Sequence, residues 1–207
     1  MDWFTSDTHF GHANIIKYCK RPFSSAEEMN EVLLENINKR VKPNDRLFHL
    51  GDFANRDVEL MRGRINCKNI ILILGNHDRI RYNSPLFSGV YDMLNLKTEI
   101  DGQRKNIVLC HYALKVWNKS HYGAWHLYGH SHGGLPDDEA ALAIDAGVDC
   151  HNFCPINIDE IKAIMAKKKW VDPRTKWAAD GTLWKPYDHH RPEVIHEESE
   201  WESDASP

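Results

Sequence analysis

The amino-acid sequence predicts an α/β fold on three observations. Short apolar runs alternate with segments of helical spacing through the first half. Those runs stop at Gly or polar residues, and an Asp-Gly pair between two further runs marks a hairpin in the second half. Residues 1–6 are a short apolar run suited to a buried strand that ends in a polar loop. Ser25 and Glu28 form a capping-box pattern ahead of Met29, Val32, Leu33 and Ile37, which share one helical face, so a helix is expected up to Arg40. Strands are expected over 46–50 and 69–74, the second continuous enough to be covered on both faces. A short helix over 57–64 lies between them, and strand-helix-strand order favours parallel pairing. Residues 96–100 and 105–110 flank Asp101-Gly102, whose residues accept the positive φ of a type I′ turn. Further strands are expected over 124–128 and 141–145, after the loop 111–123. A helix over 158–168 carries Asp159 and Glu160 in its first turn and Lys167 to Lys169 at its end, matching the macrodipole.

The ordered domain is expected to span 1–170, with a C-terminal extension over 171–207. In that extension Trp177, Trp184 and Pro186 are candidates to pack back on the domain. The final fifteen or so residues, acidic and without Lys or Arg after Glu193, are expected to be disordered.

Composition bounds the chemistry. The chain has 207 residues, 42% hydrophobic and 27% charged, which are ordinary globular proportions. No apolar run approaches the roughly 18 residues of a membrane span, so no membrane partner is expected. A formal charge of -4 offers no basic excess for counterion release, so long nucleic acid is not an expected partner. Five scattered cysteines with no secretory segment before them point to a reducing, cytoplasmic setting. Cys150, His151 and Cys154 fall short of the four ligands of a structural zinc site. The unusual figure is 13 histidines, the residue most adaptable to metal ligation and acid-base work at neutral pH.

Several of them sit where apolar runs end. Asp7-Thr8-His9, Gly51-Asp52, Gly75-Asn76-His77-Asp78 and Gly129-His130-Ser131-His132 each follow a predicted strand, and His111 closes another. In sheets of this kind ligands collect beyond the carboxyl ends of the strands. Asp7 and His9, like His130 and His132, are two apart, so on extended backbone each pair points the same way and can grip one ion. Any one of these pairs occurs by chance in many chains; their joint placement at strand ends does not. If the set holds two divalent ions, two carboxylates leave about two positive charges uncompensated, a surplus that suits an anionic phosphate ester and in-line displacement at phosphorus. Mixed nitrogen and oxygen donors suit manganese, with iron, zinc or nickel as alternatives, over calcium or magnesium.

The order Asp-x-His, Gly-Asp, Gly-Asn-His-Asp, His, Gly-His-x-His resembles the calcineurin-like metallophosphoesterase superfamily, in its compact single-domain form, over residues 1 to about 165. The resemblance implies a four-layer α-β-β-α sandwich of two mixed sheets, with a dinuclear metal site on loops at one edge. It implies that Asp7, His9 and His132 hold the first metal, that Asn76, His111 and His130 hold the second, and that Asp52 bridges both. It further implies that a hydroxide shared by the ions attacks phosphorus while His77 assists the leaving group, with Asp78 orienting His77 through its other ring nitrogen. Gly51 to Arg56 only partly follows the Gly-Asp-x-x-x-Arg-Gly block of the large protein phosphatases, because Asp57 replaces its final Gly.

The favoured reading is a phosphodiesterase for a small, nucleotide-like phosphate ester. A phosphomonoesterase or a nuclease is the enzymatic alternative, and a metal-binding interaction scaffold the non-enzymatic one. His12, Asn55, Arg56 and Arg79 are candidate substrate contacts because each lies within a few residues of an expected ligand. His49 and His126 are expected to be packed and hydrogen-bonded within strands. Trp117, Tyr122 and Trp125, with Lys115 and Lys119, form either a wall against a nucleobase or half-buried packing.

Overall fold

The computed structural model describes residues 1–175. The chain divides into two units, Met1–Pro173 and Arg174–Pro207. Beyond its first two residues the second unit lies outside the described residues, and with it Trp177, Trp184, Pro186 and the acidic terminus.

The first unit is built on two mixed sheets. The first has the order β4-β3-β2-β1-β9, with β1 (Asp2–Thr5), β2 (Arg46–His49), β3 (Asn69–Ile73) and β4 (Gly89–Tyr91) parallel and β9 (Ile156–Asn157) antiparallel to β1. The second has the order β5-β6-β7-β8. In it β5 (Met93–Ile100) and β6 (Gln103–Cys110) are antiparallel, while β7 (Trp125–Tyr128) and β8 (Ala143–Asp145) continue parallel to β6. The expected hairpin is present, with φ of 52° at Asp101 and 74° at Gly102.

Alternation along the strands sorts the core into layers. Phe4, Phe48 and Ile73 turn inward from the first sheet to meet Ile107, Leu109, Trp125 and Leu127 of the second. Trp3, Leu47, Ile70 and Leu72 turn outward and are covered by α2 (Ala26–Arg40) through Met29, Leu33, Leu34 and Ile37. The outer face of the second sheet is covered by the segment after β6, where Trp117 packs with Val108 and Ala124. Helix α4 (Ile158–Met165) adds Ile161 and Met165 to the core between the sheets. Helices α1 (Ala13–Tyr18) and α3 (Val58–Gly63) are each shorter than two turns and lie near the strand ends.

Three details depart from the sequence reading. Ser25 caps α2 by accepting from the Glu28 amide at 3.1 Å, but the Glu28 carboxylate reaches the Ser24 amide instead of Ser25, so the reciprocal box is displaced by one residue. The full capping box occurs at α4, between Asn157 and Glu160. Helix α4 stops at Met165, and Lys168 and Lys169 pair with Asp137 and Glu139 of the loop between β7 and β8 rather than with the helix end. A side chain with a carboxylate in reach gains more there than from partial charges on terminal carbonyls. Helix α1 and strands β4 and β9 carry no pattern long enough to be read from the sequence.

Candidate metal centre

Two groups of donors face each other beyond the carboxyl ends of the strands. Asp7, His9 and His132 form one, and Asp52, His111 and His130 the other; within each, one ligand atom per residue lies within 4.8 Å of the rest. Asp52 stands between them. Its Oδ2 is 3.4 Å from His9 Nε2 and 3.6 Å from His111 Nε2, while its Oδ1 accepts the His77 amide at 2.9 Å. Asn76 joins the second group, with Oδ1 3.2 Å from His111 Nε2.

The backbone that produces this convergence is not extended. Asp7, His9, Asp52, His130 and His132 have φ of 58°, 50°, 55°, 66° and 47°. The reading of Asp7/His9 and His130/His132 as same-side neighbours on a strand is therefore corrected: β1 ends at Thr5 and β7 at Tyr128, and both pairs lie in left-handed curls beyond them. Alternate side chains on a strand stand parallel, whereas a curl brings them toward one point. Left-handed conformation costs a non-glycine residue about 1–2 kcal/mol, so the surrounding structure must impose it. Hydrogen bonds from Asp7 N to Gly51 O and from His9 N to Asp52 O, both 2.9 Å, clamp the first loop to the second. The His130 amide donates to Asp7 at 3.0 Å and clamps a third. Glycine permits the closest approaches: a Cβ on Gly75 would lie 2.2 Å from Asp52 Oδ1, and one on Gly129 would lie 2.0 Å from Ser6 Oγ and 2.5 Å from Asp7 Oδ2.

Hydrogen bonds around the donors fix their orientation. His111 donates from Nδ1 to the Leu50 carbonyl at 2.7 Å, which leaves Nε2 to face Asn76 and Asp52. His132 Nδ1 binds Asp149 Oδ2 at 2.7 Å. Asp149 is gripped by Arg21 through Nε at 2.8 Å and Nη2 at 2.7 Å, and Arg21 also donates to the carbonyls of Asp7 and Thr8. The His130 ring has no hydrogen-bond partner among the described residues; it packs edge-on against Tyr112 at 4.9 Å and His111 at 5.1 Å.

Burial raises the Asp7 carboxyl to about 7 and lowers the His9 ring to about 2. It also holds His111 below its ordinary value, with Asp52 opposing. With its proton held on Nδ1 by the Leu50 carbonyl, neutral His111 turns the lone pair of Nε2 toward the Asn76 and Asp52 oxygens with no proton between them. His9 Nε2 is buried without a hydrogen-bond partner among the described residues. A cation is the species that satisfies such a cluster of acceptors, and the mixed nitrogen and oxygen donors fit a divalent metal.

A profile of the calcineurin-like phosphoesterase family matches residues 3–204. The chain belongs to this family. A relative in Methanocaldococcus jannaschii, an uncharacterized protein, is 32% identical over 183 residues, covering 82% of this chain and 93% of its own. A crystal structure of a protein of unknown function from Aquifex aeolicus is similar at 28% identity with a TM-score of 0.63, covering 79% of this chain and 98% of that one. Membership in the calcineurin-like phosphoesterases implies metal-dependent hydrolysis of phosphoesters, and the two mixed sheets are those the sequence resemblance implied.

The remaining expected residues of this family member are distributed as follows. His77 stands at the mouth, half exposed, with Nε2 4.0 Å from Asp52 Oδ2. His12 turns toward it, its ring 5.4 Å from His9 and 6.3 Å from His77. Asn55 and Arg79 line a cavity of about 280 Å³ with Asn76 and His77. Arg56 is exposed, beside Gly11. Asp78 does not orient His77: its two oxygens accept the amides of Asp52, Phe53 and Gly75 at 2.8 to 3.0 Å, so it ties the loop after β3 to the loop after β2. Adjacent side chains diverge, and three amides take three of the roughly four acceptor sites of the carboxylate. His49 and His126 are fully buried, the first against Thr8 Oγ1 at 2.9 Å, the second against the Val108 carbonyl at 3.0 Å. Trp117 lies against His126 with the rings tilted by 35° and donates to the Ala124 carbonyl, while Trp125 fills the core. Sequence reasoning missed Arg21 and Asp149, which meet across 128 residues and carry no local motif. It also missed Tyr112, although that residue follows an expected ligand directly.

Proposed function

We propose that this protein is a phosphodiesterase that hydrolyses a small, nucleotide-like phosphate ester with two divalent transition metal ions, manganese foremost. The observation that carries this reading is the position of Asp52, whose Oδ2 lies between a histidine of each donor group. Asp7, His9 and His132 hold one ion, Asn76, His111 and His130 the other, and Asp52 both. When bound, the pair supplies charge that lowers the pKa of water and offsets charge developing at phosphorus.

The chain's own residues do the rest. Asp149 and Leu50 keep the proton of His132 and His111 on Nδ1, so that both rings present Nε2 inward. The tie made by Asp78 holds Asp52 and Asn76 at fixed separation. Water that has released one proton to solvent attacks phosphorus opposite the leaving oxygen, and His77, at the open side, donates a proton to that oxygen as its bond to phosphorus breaks and is reprotonated from solvent. His12, Asn55, Arg56 and Arg79 meet the non-reacting part of the substrate.

Diester is favoured over monoester by the charge available. Arg21 is wholly buried and committed to Asp149 and two carbonyls, so it is no clamp for a phosphate dianion; Arg56 and Arg79 sit on the exposed rim. A diester carries one negative charge and asks for less. The net charge of -4 supports a small substrate over long nucleic acid. No helix among the described residues is long and apolar enough to cross a membrane, and the free thiols support a cytoplasmic setting.

The test is hydrolysis by the full chain of nitrophenyl mono- and diesters, cyclic nucleotides, dinucleotides and single-stranded nucleic acid, with added manganese and a chelator control. Chelator-sensitive turnover favouring diesters is expected. Monoesters or long strands as the better substrates would overturn the assignment, and metal uptake without turnover of any ester would favour the scaffold.

A further inference from the structure

The open side of the metal centre continues into a second cavity. The cavity of about 280 Å³ lined by Asn76 and His77 shares Val58, Arg79 and Ile80 with a neighbour of about 430 Å³. Glu59 of α3 and residues of the segment 81–86 complete the walls of that neighbour. Its volume is within the range of small-molecule sites, about 300–1,000 Å³. Because the two linings have residues in common, the far half of a molecule held at the metal centre is the occupant placed to fill it.

The second lining combines apolar surface with unpaired cations. Val58, Ile80 and Leu86 are half-buried and pack on the hydrophobic core, and what they leave exposed is apolar. Arg79 and Arg81 are exposed, and neither guanidinium has a hydrogen bond or a carboxylate in ion-pair reach among the described residues. Glu59 is the acidic residue of the lining, so cations exceed it there. A guanidinium matches a phosphate in geometry as well as charge. Arg79 belongs to both linings and stands at the junction, whereas Arg81 belongs to the second alone. An anion on Arg81 is therefore a second one, distinct from the ester at the metal centre. Apolar surface between two anion positions suits a nucleoside with a phosphate on either side.

We propose that the substrate is a dinucleotide with a terminal 5′-phosphate. Its internucleotide diester lies at the metal centre, the nucleoside bearing the terminal phosphate fills the second cavity, and Arg81 holds that phosphate. This rests on the phosphodiesterase reading and names the substrate class within it. The nucleoside in the cavity lies on the side of His77, so its O3′ is the leaving oxygen. Water puts a hydroxyl on phosphorus, the P–O3′ bond breaks, the His77 proton goes to O3′, and two nucleoside 5′-monophosphates result.

The test is turnover by the full chain, with added manganese, of three esters: 5′-phosphoadenylyl-3′,5′-adenosine, the same dinucleotide without its terminal phosphate, and bis(4-nitrophenyl) phosphate. The phosphorylated dinucleotide is expected to have a kcat/KM about tenfold or more above the unphosphorylated one, as one charge-assisted contact implies, and to yield adenosine 5′-monophosphate alone. Arg81→Gln should bring the two dinucleotides to the same value and leave the nitrophenyl ester unchanged. Arg81 is exposed and unpaired, so the variant should unfold at the wild-type temperature. Equal kcat/KM for the two dinucleotides, undiminished selectivity in Arg81→Gln, or release of adenosine from the phosphorylated dinucleotide would overturn the dinucleotide assignment while the phosphodiesterase reading stands. No turnover of any of the three esters would overturn both.

Discussion

Asp52 is bound on every side. Its Oδ1 holds the His77 amide, its Oδ2 faces two neutral imidazoles, its own amide donates to Asp78, and its carbonyl accepts from His9. Asp52→Asn keeps the shape and removes the charge, so metal content should fall together with rate; unchanged stoichiometry by elemental analysis would argue against bridging. His77 is tied only through its backbone, and its ring stands at the open mouth. His77→Ala should slow esters with alkyl leaving groups about 10²-fold or more, while nitrophenyl esters, which need little protonation, should lose far less. Equal losses on the two series would sink the proton-donor role. His130 lacks the hydrogen bond that orients His111 and His132 and leans on Tyr112 instead. Tyr112→Ala is expected to weaken uptake of the second metal about 10-fold, toward the range seen when outer-shell partners are lost, and to spare the first. A titration in which both steps shift alike would count against that division.

At the scale of elements, the site is made by loops clamped to one another rather than by the strands that precede them. The clamps run from the loop after β1 to the loop after β2, from there through Asp78 to the loop after β3, and from Asp7 to the loop after β7. Gly129 lies at the tightest crossing, and its added Cβ would meet Ser6 and Asp7. Gly129→Ala should therefore cost about 1–3 kcal/mol, as overpacking does, and should weaken binding at Asp7, His9 and His132. Thermal unfolding with and without manganese measures both effects, and a variant with native stability and affinity would show that the loops yield.

For the whole molecule, metal binding and pH act on the same stability. Because the donors converge only in the fold, manganese at 100-fold over its dissociation constant should stabilise the protein by about 2.7 kcal/mol. His49, wholly buried beside Thr8 and Phe53, is pulled down to about 3 from 6.5. The unfolded chain therefore binds that proton first as pH falls below 6.5, and stability is lost from there down to about pH 3, by about 2 kcal/mol at pH 5. Asp7 acts in the opposite sense in the metal-free protein. With its carboxyl raised to about 7 from 3.8, the folded state keeps a proton that the unfolded chain releases, and stability rises as pH falls from 7 toward 4. The comparison that isolates His49 is between wild type and His49→Gln: the variant should lose less stability between pH 7 and pH 5. Identical pH dependence in the two would refute a neutral, buried His49.

Sequence alone determined the parts whose cause is local. The apolar runs of β1, β2 and β3, the face of α2 and the Asp-Gly hairpin all follow from side-chain period and turn chemistry. So does the placement of Asp7, Asp52, Asn76, His111 and His130 just past the runs, which the spacing of the motifs made legible. Strand β9, at two residues, was not legible, because its pairing with β1 depends on a chain that returns from far away. Nor were the left-handed turns at five of the seven expected ligands, which cost energy locally and exist because neighbouring loops impose them. Asp78 looked like a partner for the adjacent His77, and tertiary structure gave its oxygens to three amides instead. Arg21 and Asp149 met only on folding. Residue types set which chemistry is available; distances set by long-range packing decided which groups share it.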